Sequence, residues 1–581
     1  MSGRSRTLTG VRQPVVWLAL AVLAILVGLV ALPLAGLVAD TVGEDADGAW
    51  GDVLSSPMSQ ALFWQPLGGS LLVGLGTGII STIIGAFLAW VVVMSDVPGR
   101  RIIGVLAAIP FALPSFAIAL AWESVFRNDL IGGTTGLLFS LGIPVPDWLA
   151  WGPVPVILTL VAHYYSLSFV VIAAALANVG GDLVAAAELT GASRARVAAR
   201  IVIPAVAPAV LSGFLLAFAE GVSNFAVPAL LGLPVRFQTL STRLYGAIST
   251  GDATRGYVLS ILLIVVAGLI LFAGNRTTGG RSFSTITGKA TRARITRTGG
   301  WRAPLAAMSW AAVVVTAIIP GIVLVVSTFL RRTNSFDSGL TLHYWIGGSD
   351  PSISHGMRGV LRDPVVLQAT GGTLGLGIAV AAGAVLVGLF AAYAIRRRPR
   401  ARIMNGTINL LAYVPFLIPG VALGAAFIAQ FSAPIGPFGS LYGTFGILVL
   451  AGVAASIPFA FQTAKSALGQ VSAELDEAAV LTGAGGPRRL ARITVPLVSR
   501  GLANGAILVF VTMVRDLSVV VLLVTPATPL LSMMTFRYAS EGFAQQASAI
   551  TLIIAVISVA ATLGARVLEK NRDDRPERST S

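Results

Sequence analysis

Three charged side chains stand inside long apolar stretches of this 581-residue chain, and their types and positions suggest chemistry. Glu220 lies in FAEGVSNFAVPALLG, and Arg515 and Asp516 lie in FVTMVRDLSVVVLLV. A charge at membrane depth is costly, so such residues by default mark a solute path, a relay or a gate. The residues predicted to line a substrate pathway are Glu220, Asn224, Arg515 and Asp516. The alternative is an ion pair between Glu220 and Arg515 that stabilises a helix bundle without touching substrate.

The residues that other kinds of site require are missing or badly spaced. The chain has no cysteine, which excludes a disulfide framework, a thiolate metal site and a cysteine nucleophile. Its three histidines, His163, His343 and His355, have no metal-ligand spacing. His163 is expected to be a satisfied residue at a helix interface. We therefore predict neither a catalytic residue nor a bound metal in this chain.

A phosphate-binding loop is also missing. Such a loop needs the pattern G-x-x-x-x-G-K-[ST]. The three lysines stand in TGKAT, AKSAL and EKNRD, and none joins a preceding glycine to a following hydroxyl residue. The chain is therefore predicted not to hydrolyse ATP and not to be an enzyme, and to carry no cofactor of its own.

The composition identifies the elements that must position the buried charges. Hydrophobic residues make up 55% of the chain, charged residues only 11%, and the mean hydropathy is +0.85. A soluble globular protein carries roughly twice as much charge. A helix of roughly 20 apolar residues crosses the hydrocarbon core of a bilayer. The chain is therefore an integral membrane protein, and a soluble enzyme and a disordered protein are both excluded.

Twelve apolar runs are long enough to be membrane helices, which predicts an all-α membrane protein. The first run is about twice as long as the apolar core of a signal peptide and is expected to be a retained anchor. The runs fall at about 14–39, 66–94, 102–125, 152–178, 204–232, 256–273, 303–330, 367–395, 403–430, 444–468, 496–524 and 548–568.

The charges between the runs predict the orientation. With the amino terminus in the cytoplasm, roughly 30 of the 40 Lys and Arg residues fall on the cytoplasmic side, as the positive-inside rule requires. Both termini are then cytoplasmic. The formal net charge of +15 records this topology, so nucleic acid is not expected as a partner.

The two halves of the sequence resemble each other. IPFALPSFAIALAW at 109–122 matches VPFLIPGVALGAAF at 414–427, and each carries two prolines four residues apart. AAAELTGASRARVAARIVIP at 185–204 matches EAAVLTGAGGPRRLARITVP at 477–496 without a gap, at an offset of 292. An even number of spans separates the copies, so they form a parallel repeat about an axis along the membrane normal. A pathway between the halves is the natural expectation, and the proline pairs are expected to kink helices.

Each copy of the second match is a polar, arginine-bearing cytoplasmic loop. Gly191 or Gly483 interrupts a short helix, and Pro204 or Pro496 opens the next span. The alternative is a solvated loop that only obeys the positive-inside rule. Ungapped recurrence of the pattern argues against that alternative, because a solvated loop needs no fixed spacing.

These loops resemble the EAA loop of ABC importer permeases, E-A-A-x-x-x-G followed by I-x-L-P. In the first copy Ala185 replaces the usual glutamate, and Glu188 follows three positions later. The resemblance implies that each loop forms a helix that docks into a groove on a separate ATPase subunit. The residues that it assigns to this coupling are Ala186, Ala187, Glu188, Gly191, Pro204, Glu477, Ala478, Ala479, Gly483 and Pro496.

The runs that follow the loops resemble fused permeases of ferric-iron-type importers, which are related to permeases for thiamine and 2-aminoethylphosphonate. The resembling segments are SNFAVPALLGLPVRFQTLSTRLYGAI and VRDLSVVVLL followed by TPLLSMMTFRYASEG. The resemblance implies two MetI-like six-helix repeats, with ferric iron as the best estimate of the cargo. The predicted divisions are a first repeat at 1–273 with its loop at about 181–203, a basic linker at 274–302, a second repeat at 303–570 with its loop at about 473–495, and a tail at 571–581.

The resemblance also implies the partners. These are two copies of an ABC ATPase, which hold ATP and magnesium, an extracytoplasmic substrate-binding protein, and membrane lipid. The alternatives are a permease for thiamine, phosphonate, polyamine or another small solute, and a secondary transporter with six plus six helices. The secondary transporter draws on SDVPGRR at 95–101, which is similar to a loop of the major facilitator class.

Overall fold

The fold is known from a computed structural model that describes residues 13–42, 46, 48–277, 297–434, 439–471 and 485–573. We call residues 13–277 the first half and residues 297–573 the second half. Long helices dominate the described residues of both halves, and a single two-stranded hairpin is the only sheet among them.

The helices of the first half are α1 (Gln13–Leu26), α2 (Leu32–Ala39), α3 (Ala49–Leu54), α4 (Gln65–Met94), α5 (Arg100–Ala108), α6 (Ser115–Phe126), α7 (Leu137–Ser140), α8 (Asp147–Ala150), α9 (Pro153–Ala177), α10 (Gly181–Leu189), α11 (Arg194–Val197), α12 (Ile203–Ser223), α13 (Ala226–Leu231), α14 (Leu240–Ser249) and α15 (Ala253–Thr277).

The described elements of the second half are α16 (Arg302–Val313), α17 (Ile319–Ser327), β1 (Leu330–Arg332), β2 (Ser335–Leu340), α18 (His343–Ile346), α19 (Pro364–Arg397), α20 (Arg402–Leu417), α21 (Gly420–Phe431), α22 (Phe445–Gly469), α23 (Gly486–Arg489), α24 (Val495–Arg515), α25 (Leu531–Ser540) and α26 (Ala544–Asp573).

The number of membrane helices agrees with the sequence. Ten helical stretches in the described residues are long and apolar enough to cross a bilayer, and two bent helix pairs raise the number to twelve. The prediction of an all-α membrane protein with about twelve spans is confirmed. The runs at 102–125 and 403–430 are bent by 96° and 114°, which confirms the expectation that their proline pairs kink the helices.

Prolines cause both bends. Pro114 and Pro419 precede α6 and α21, each with extended backbone at ψ 147° and ψ 138°. Proline has no N–H to donate and disfavours a helical residue before it, so a helix that reaches such a position ends there. A new helix then starts immediately, because proline is compatible with a helix start.

The internal repeat of the sequence is also visible in the positions of the helix ends. α9 and α22 begin and end 292 residues apart, and so do α12 and α24. Short π-helical segments at 198–202 and 490–494 precede α12 and α24 at the same offset. Over these helices the two halves therefore share one backbone plan down to local irregularities.

The two halves exchange their first spans. α1 packs against α19 and α20 of the second half, and α2 packs against α21. In the opposite direction, α16 and α17 pack against α4, α5 and α6 of the first half. Thr316, between α16 and α17, donates its hydroxyl to Tyr165 of α9 at 3.1 Å. Each half is therefore completed by a span from the other.

A second link joins the halves at the start of α16. The Asp96 carboxylate accepts hydrogen bonds from the backbone N–H of Thr298 at 2.9 Å and from its hydroxyl at 2.6 Å. Arg302 donates to the Asp96 carbonyl oxygen at 3.1 Å. Hydrogen bonds from the Thr298 side chain and backbone hold the pKa of Asp96 below its ordinary value. Asp96, in the loop that resembled a secondary transporter, thus holds the end of the segment that connects the halves.

Candidate functional site

The predicted pathway residues lie where two equivalent helices end. The apolar runs at 204–232 and 496–524 suggested continuous spans, but α12 ends at Ser223 and α24 ends at Arg515. The next residues, Asn224 and Asp516, are extended, with ψ of 128° and 133°. The expectation of continuous spans was wrong, because the backbone leaves the helix at these two polar residues.

Asn224 and Asp516 stabilise the two helix breaks in the same way. The Asn224 Oδ1 atom accepts a hydrogen bond from the Val227 N–H at 3.0 Å, and the Asp516 Oδ1 atom accepts one from the Val519 N–H at 2.8 Å. Buried backbone donors need partners, and short Asn and Asp side chains can supply them two or three residues ahead. The polar residues that follow α12 and α24 therefore satisfy the backbone of the turn.

The two breaks meet around one cavity between the halves. Its volume is about 240 Å³, and all four predicted pathway residues line it. The first half also contributes Phe111, Ser115, His163 and Tyr164, and the second half contributes Pro419, Gly420, Ser456 and Thr512. The structure thus brings together the charges that the sequence singled out, on a surface formed by both repeats.

The wall from the first half is a hydrogen-bonded polar layer. The Asn224 amide nitrogen donates to the Ser115 hydroxyl and to the Tyr164 hydroxyl, both at 3.1 Å. Glu220 lies one helical turn before Asn224 and interacts electrostatically with Tyr164, Arg515 and Asp516. The carboxylate of Glu220 is therefore presented to the cavity beside a neutral network.

The wall from the second half is dominated by Arg515. Its guanidinium carbon lies 4.2 Å from the ring centroid of Phe111, and Nη1 lies 3.5 Å from the Leu113 carbonyl oxygen. Stacking over an aromatic face holds a cation by about 0.5–2 kcal/mol, depending on its desolvation. Among the described residues, no ion pair of 4.0 Å or less joins Glu220 to Arg515. The Arg515 guanidinium therefore contacts Phe111 and Leu113 of the first half but forms no direct salt bridge with Glu220.

The bent helices end at the same cavity. Ser115 at the start of α6 and Gly420 at the start of α21 both line it. The amino end of a helix carries a partial positive charge, because its first N–H groups have no intrahelical partner. Gly420 is required here by space: a Cβ atom would lie 2.8 Å from the Ser518 Cβ atom and 3.1 Å from the Val519 nitrogen. The bends thus place the start of α6 against the turn after α12 and the start of α21 against the turn after α24.

His163 differs from its expected role. Its ring packs against the rings of Phe111 and Tyr164, with centroid distances of 6.1 and 4.6 Å. It lines the cavity, and its Nδ1 atom is buried without a hydrogen-bond partner in the described structure. Sequence reasoning missed Phe111, Ser115 and Tyr164 as members of the site. The polar and aromatic run HYYSLSF inside an apolar span was the signal that could have found Tyr164.

The first predicted coupling loop is a helix that stops at a glycine. α10 contains Ala186, Ala187 and Glu188, and Gly191 follows with a left-handed φ of 83°. The N–H of Ala192 donates to the Ala187 carbonyl at 3.1 Å, which closes the helix end as a Schellman motif. Leu189 at the end of this helix is 89% exposed. An apolar side chain is thus presented at the tip of a rigid turn.

The second predicted loop is described only in part. Glu477, Ala478, Ala479 and Gly483 lie outside the described residues. Pro496 is the second residue of α24, as Pro204 is of α12. The prolines that open the spans after the two loops therefore occupy equivalent positions.

Comparison with known proteins identifies the family. The family described as binding-protein-dependent transport system inner membrane component matches the chain twice, at residues 81–276 and 384–574. The chain belongs to this family. It is a multi-pass membrane protein, the permease of an ABC importer, with two copies of the permease domain fused in one chain. The family's transport depends on a binding protein, and the chain is an inner membrane component of such a system.

Several permeases are similar over one or both halves. The ferric transport system permease protein FbpB of Actinobacillus pleuropneumoniae is 24% identical over 87% of this chain and 71% of its own length. A probable ABC transporter permease protein, y4fN of Sinorhizobium fredii, is 27% identical over 73% of both chains. The sulfate transport system permease protein CysT of Salmonella typhimurium is 24% identical over 42% of this chain and 85% of its own length.

Proposed function

We propose that this permease imports ferric iron. Relatives named as ferric transport system permeases align with 87% and 81% of this chain, so they cover both halves. The relatives named as sulfate permeases align with 36–47% of the chain. A relative that aligns with both halves is a better guide to the cargo than one that aligns with a single half, because both halves form the cavity. This alignment across both repeats is the observation that carries the proposal.

The side chains of the cavity suit an ion that binds only transiently on its way through. Glu220 and Asp516 supply carboxylate oxygens from opposite halves. In the part of the chain that the structure describes, no group of three or more His, Cys, Asp or Glu residues could hold a metal ion. A transport site must bind its ion weakly enough to release it. Two carboxylates beside one arginine fit that requirement better than a closed metal site.

Oxyanion import is the second candidate. Arg515 presents a guanidinium in the same cavity, and guanidinium groups suit oxyanions because their donors match two oxygens. The sulfate permeases among the relatives support this candidate for each repeat separately. Thiamine, phosphonate and polyamine remain alternatives from the sequence resemblance, and no contact in the cavity favours one of them.

Two external ATPase subunits are proposed to drive the cycle, with ATP and magnesium bound in those subunits. Each would dock on one loop: the first through Ala186, Ala187, Glu188 and the turn at Gly191, the second through the matching residues 477–483. The rigid end of α10 and the exposed Leu189 support this role, because a docking helix must transmit force without yielding. An extracytoplasmic binding protein would deliver the cargo on the opposite face, and both termini would be cytoplasmic.

The pathway is proposed to run through the cavity at Glu220, Asn224, Arg515 and Asp516. Closure of the ATPase pair would push the two loops together and rock the halves about their shared axis. The helix breaks after α12 and α24 are suited to this motion, because the backbone leaves the helix at each of them. One side-chain bond to a backbone N–H holds each turn, and the first is also held by the bonds from Asn224 to Ser115 and Tyr164.

Reconstitution of the complete importer in proteoliposomes tests this function. The importer would contain this chain, its ATPase and its binding protein, and ⁵⁵Fe(III) citrate and ³⁵S-sulfate would be supplied in parallel. We expect ATP-dependent uptake of iron and no uptake of sulfate. Uptake of sulfate alone would replace iron by the oxyanion, and uptake of both solutes without ATP would contradict an ATP-driven importer.

A further inference from the structure

The central cavity continues toward the beginning of α24 through two more cavities. The next one, of about 380 Å³, shares Phe111, Leu508, Thr512 and Arg515 with the central cavity. The third, of about 600 Å³, lies between α22 and α24 and shares Asn504 with the second. The three cavities therefore form a chain in space, with Asn504 at the last junction.

One face of α24 lines the whole series. Asn504, Leu508 and Thr512 recur every four residues, and residues four apart lie on the same side of a helix. Two of these three residues are polar. Because α24 starts at Val495, next to the second predicted coupling loop, this face leads from the central charges toward the side of the membrane where that loop lies.

The polar wall that α22 gives to the third cavity has no counterpart in α9. In α22 its wall is formed by Gln462, Thr463 and Ser466. The residues 292 positions earlier, in α9, are Val170, Val171 and Ala174. The backbone plan is the same, since α9 and α22 have matching boundaries. The difference between the halves is therefore one of side-chain chemistry at equivalent places.

The exposure of these positions shows why the difference matters. Gln462 and Ser466 are exposed on α22, and Val170 and Ala174 are equally exposed on α9. Valine and alanine suit contact with lipid, whereas exposed polar side chains at membrane depth normally face water or a solute path. Beside the cleft the helices touch closely: a Cβ atom on Gly505 would lie 2.4 Å from the Thr463 hydroxyl oxygen. The cleft is thus a groove along a tight helix pair.

We propose that solute leaves the central cavity on the side of the second half, along the polar face of α24 and out through the cleft between α22 and α24. Asn504 is the junction residue of this exit. The exit takes a small hydrophilic solute, because Thr512, Asn504 and Ser466 offer uncharged hydrogen-bonding groups in sequence. The inference rests on the proposed importer function. It deepens that function by placing the cytoplasmic end of the solute path in the second half alone.

Single cysteines test this exit directly, because the natural chain has none to be removed. Asn504→Cys and Ser466→Cys would be introduced in the complete reconstituted importer, with Ser212→Cys and Ala174→Cys as matched controls 292 residues earlier. The probe is 2-sulfonatoethyl methanethiosulfonate, a charged thiol reagent that does not enter lipid. Because thiol reactivity follows access to water, we expect both second-half cysteines to react at least about tenfold faster than their controls.

The effect of labelling on uptake separates an exit from a wet surface. The sulfonatoethyl group at Asn504→Cys should lower ⁵⁵Fe(III) citrate uptake about tenfold or more, because it fills a constriction in the path. Labelling at Ala174→Cys should leave uptake within about twofold of the unlabelled variant. Equal reactivity in the two halves would overturn the proposal, and so would full uptake after complete labelling of Asn504→Cys. The labelling rates need no cargo, so a lack of iron uptake before labelling would count against iron and leave the rates to decide the exit.

Discussion

The ends of α12 and α24 have the same backbone and different charges. Asn224 and Asp516 each accept a bond from the backbone N–H three residues later. The residues before these acceptors differ in charge: Glu220 corresponds to Thr512 one turn earlier, and Ser223 corresponds to Arg515 one residue earlier. The difference separates what the turn requires from what the cavity requires. The turn needs an acceptor in both halves, whereas the cavity needs only one cation and one additional carboxylate, wherever they are placed.

The sharpest test of this comparison removes the cation of the cavity. Arg515→Ala should lower ATP-driven uptake about 100-fold, because it removes both the guanidinium and its stacking over Phe111. The matched change Ser223→Ala should alter uptake by less than about twofold. Initial uptake rates in proteoliposomes, normalised to the amount of permease, measure both. Equal losses in the two variants would mean that the helix end itself, rather than its charge, limits transport.

A smaller loss is expected from the carboxylate of the first half. Glu220→Gln keeps the size of the side chain and removes its charge, and it should lower uptake about tenfold. Thr512→Val, at the equivalent position in α24, should lower uptake about threefold or less, since it removes one uncharged group. The same uptake assay applies, with immunoblots of the membrane fraction. Disappearance of the Glu220→Gln protein from the membrane, with normal uptake per molecule, would indicate a structural role.

The two turns should differ in how much stability they contribute. Asp516→Ala removes one side-chain bond to the backbone and should cost about 1 kcal/mol, whereas Asp516→Asn keeps the acceptor and should cost less. Asn224→Ala also removes the bonds to Ser115 and Tyr164 and should cost roughly 2–3 kcal/mol. Thermal unfolding in detergent, followed by tryptophan fluorescence, gives the order. A lower Tm for Asp516→Ala than for Asn224→Ala would contradict it.

The smallest effect on stability is expected for Asp96, which joins the two halves through its bonds from Thr298. The pKa of Asp96 is lowered by its bonds from Thr298, so its contribution is complete above the ordinary pKa of 3.8 and is lost as the pH falls through the lowered value. In the second half the guanidinium of Arg396 donates to the Leu468 and Val471 carbonyls.

The change in Tm between about pH 6 and about pH 3 measures this difference. Acid should lower the Tm of the natural chain more than that of Asp96→Asn, which lacks the titrating group. An Arg396→Gln variant should respond to acid as the natural chain does. Identical responses of the natural chain and Asp96→Asn would show that the bond to Thr298 contributes nothing to stability.

Apolar length and the internal repeat predicted most of the fold. Twelve runs, their parallel relation and the glycine that ends α10 follow from residues along the chain, because helix boundaries depend on local chemistry. The proline pairs predicted the bends at Pro114 and Pro419, whereas hydropathy could not predict the breaks at Asn224 and Asp516. These breaks lie inside apolar stretches, and the residues after each break are as hydrophobic as those before it.

The site was predictable in its charges and not in its contacts. Glu220, Arg515 and Asp516 stand out because charge is rare in apolar runs. The contact of Arg515 with Phe111 crosses about 400 residues and depends on the bend at Pro114, so no local pattern contains it. Asn224 was chosen for its alignment with Asp516, and its bonds to Ser115 and Tyr164 could be found only in three dimensions.

The exchange of first spans has a consequence for biogenesis. α1 leaves the ribosome before α19, against which it packs and which begins only at Pro364. At about 5–20 residues per second, the roughly 340 residues between them take about 17 to 70 seconds to synthesise. During that interval α1 must wait in lipid with its packing face uncovered. The insertion machinery therefore receives a first helix whose partner does not yet exist, and assembly is completed by its docking after most of the chain has been inserted.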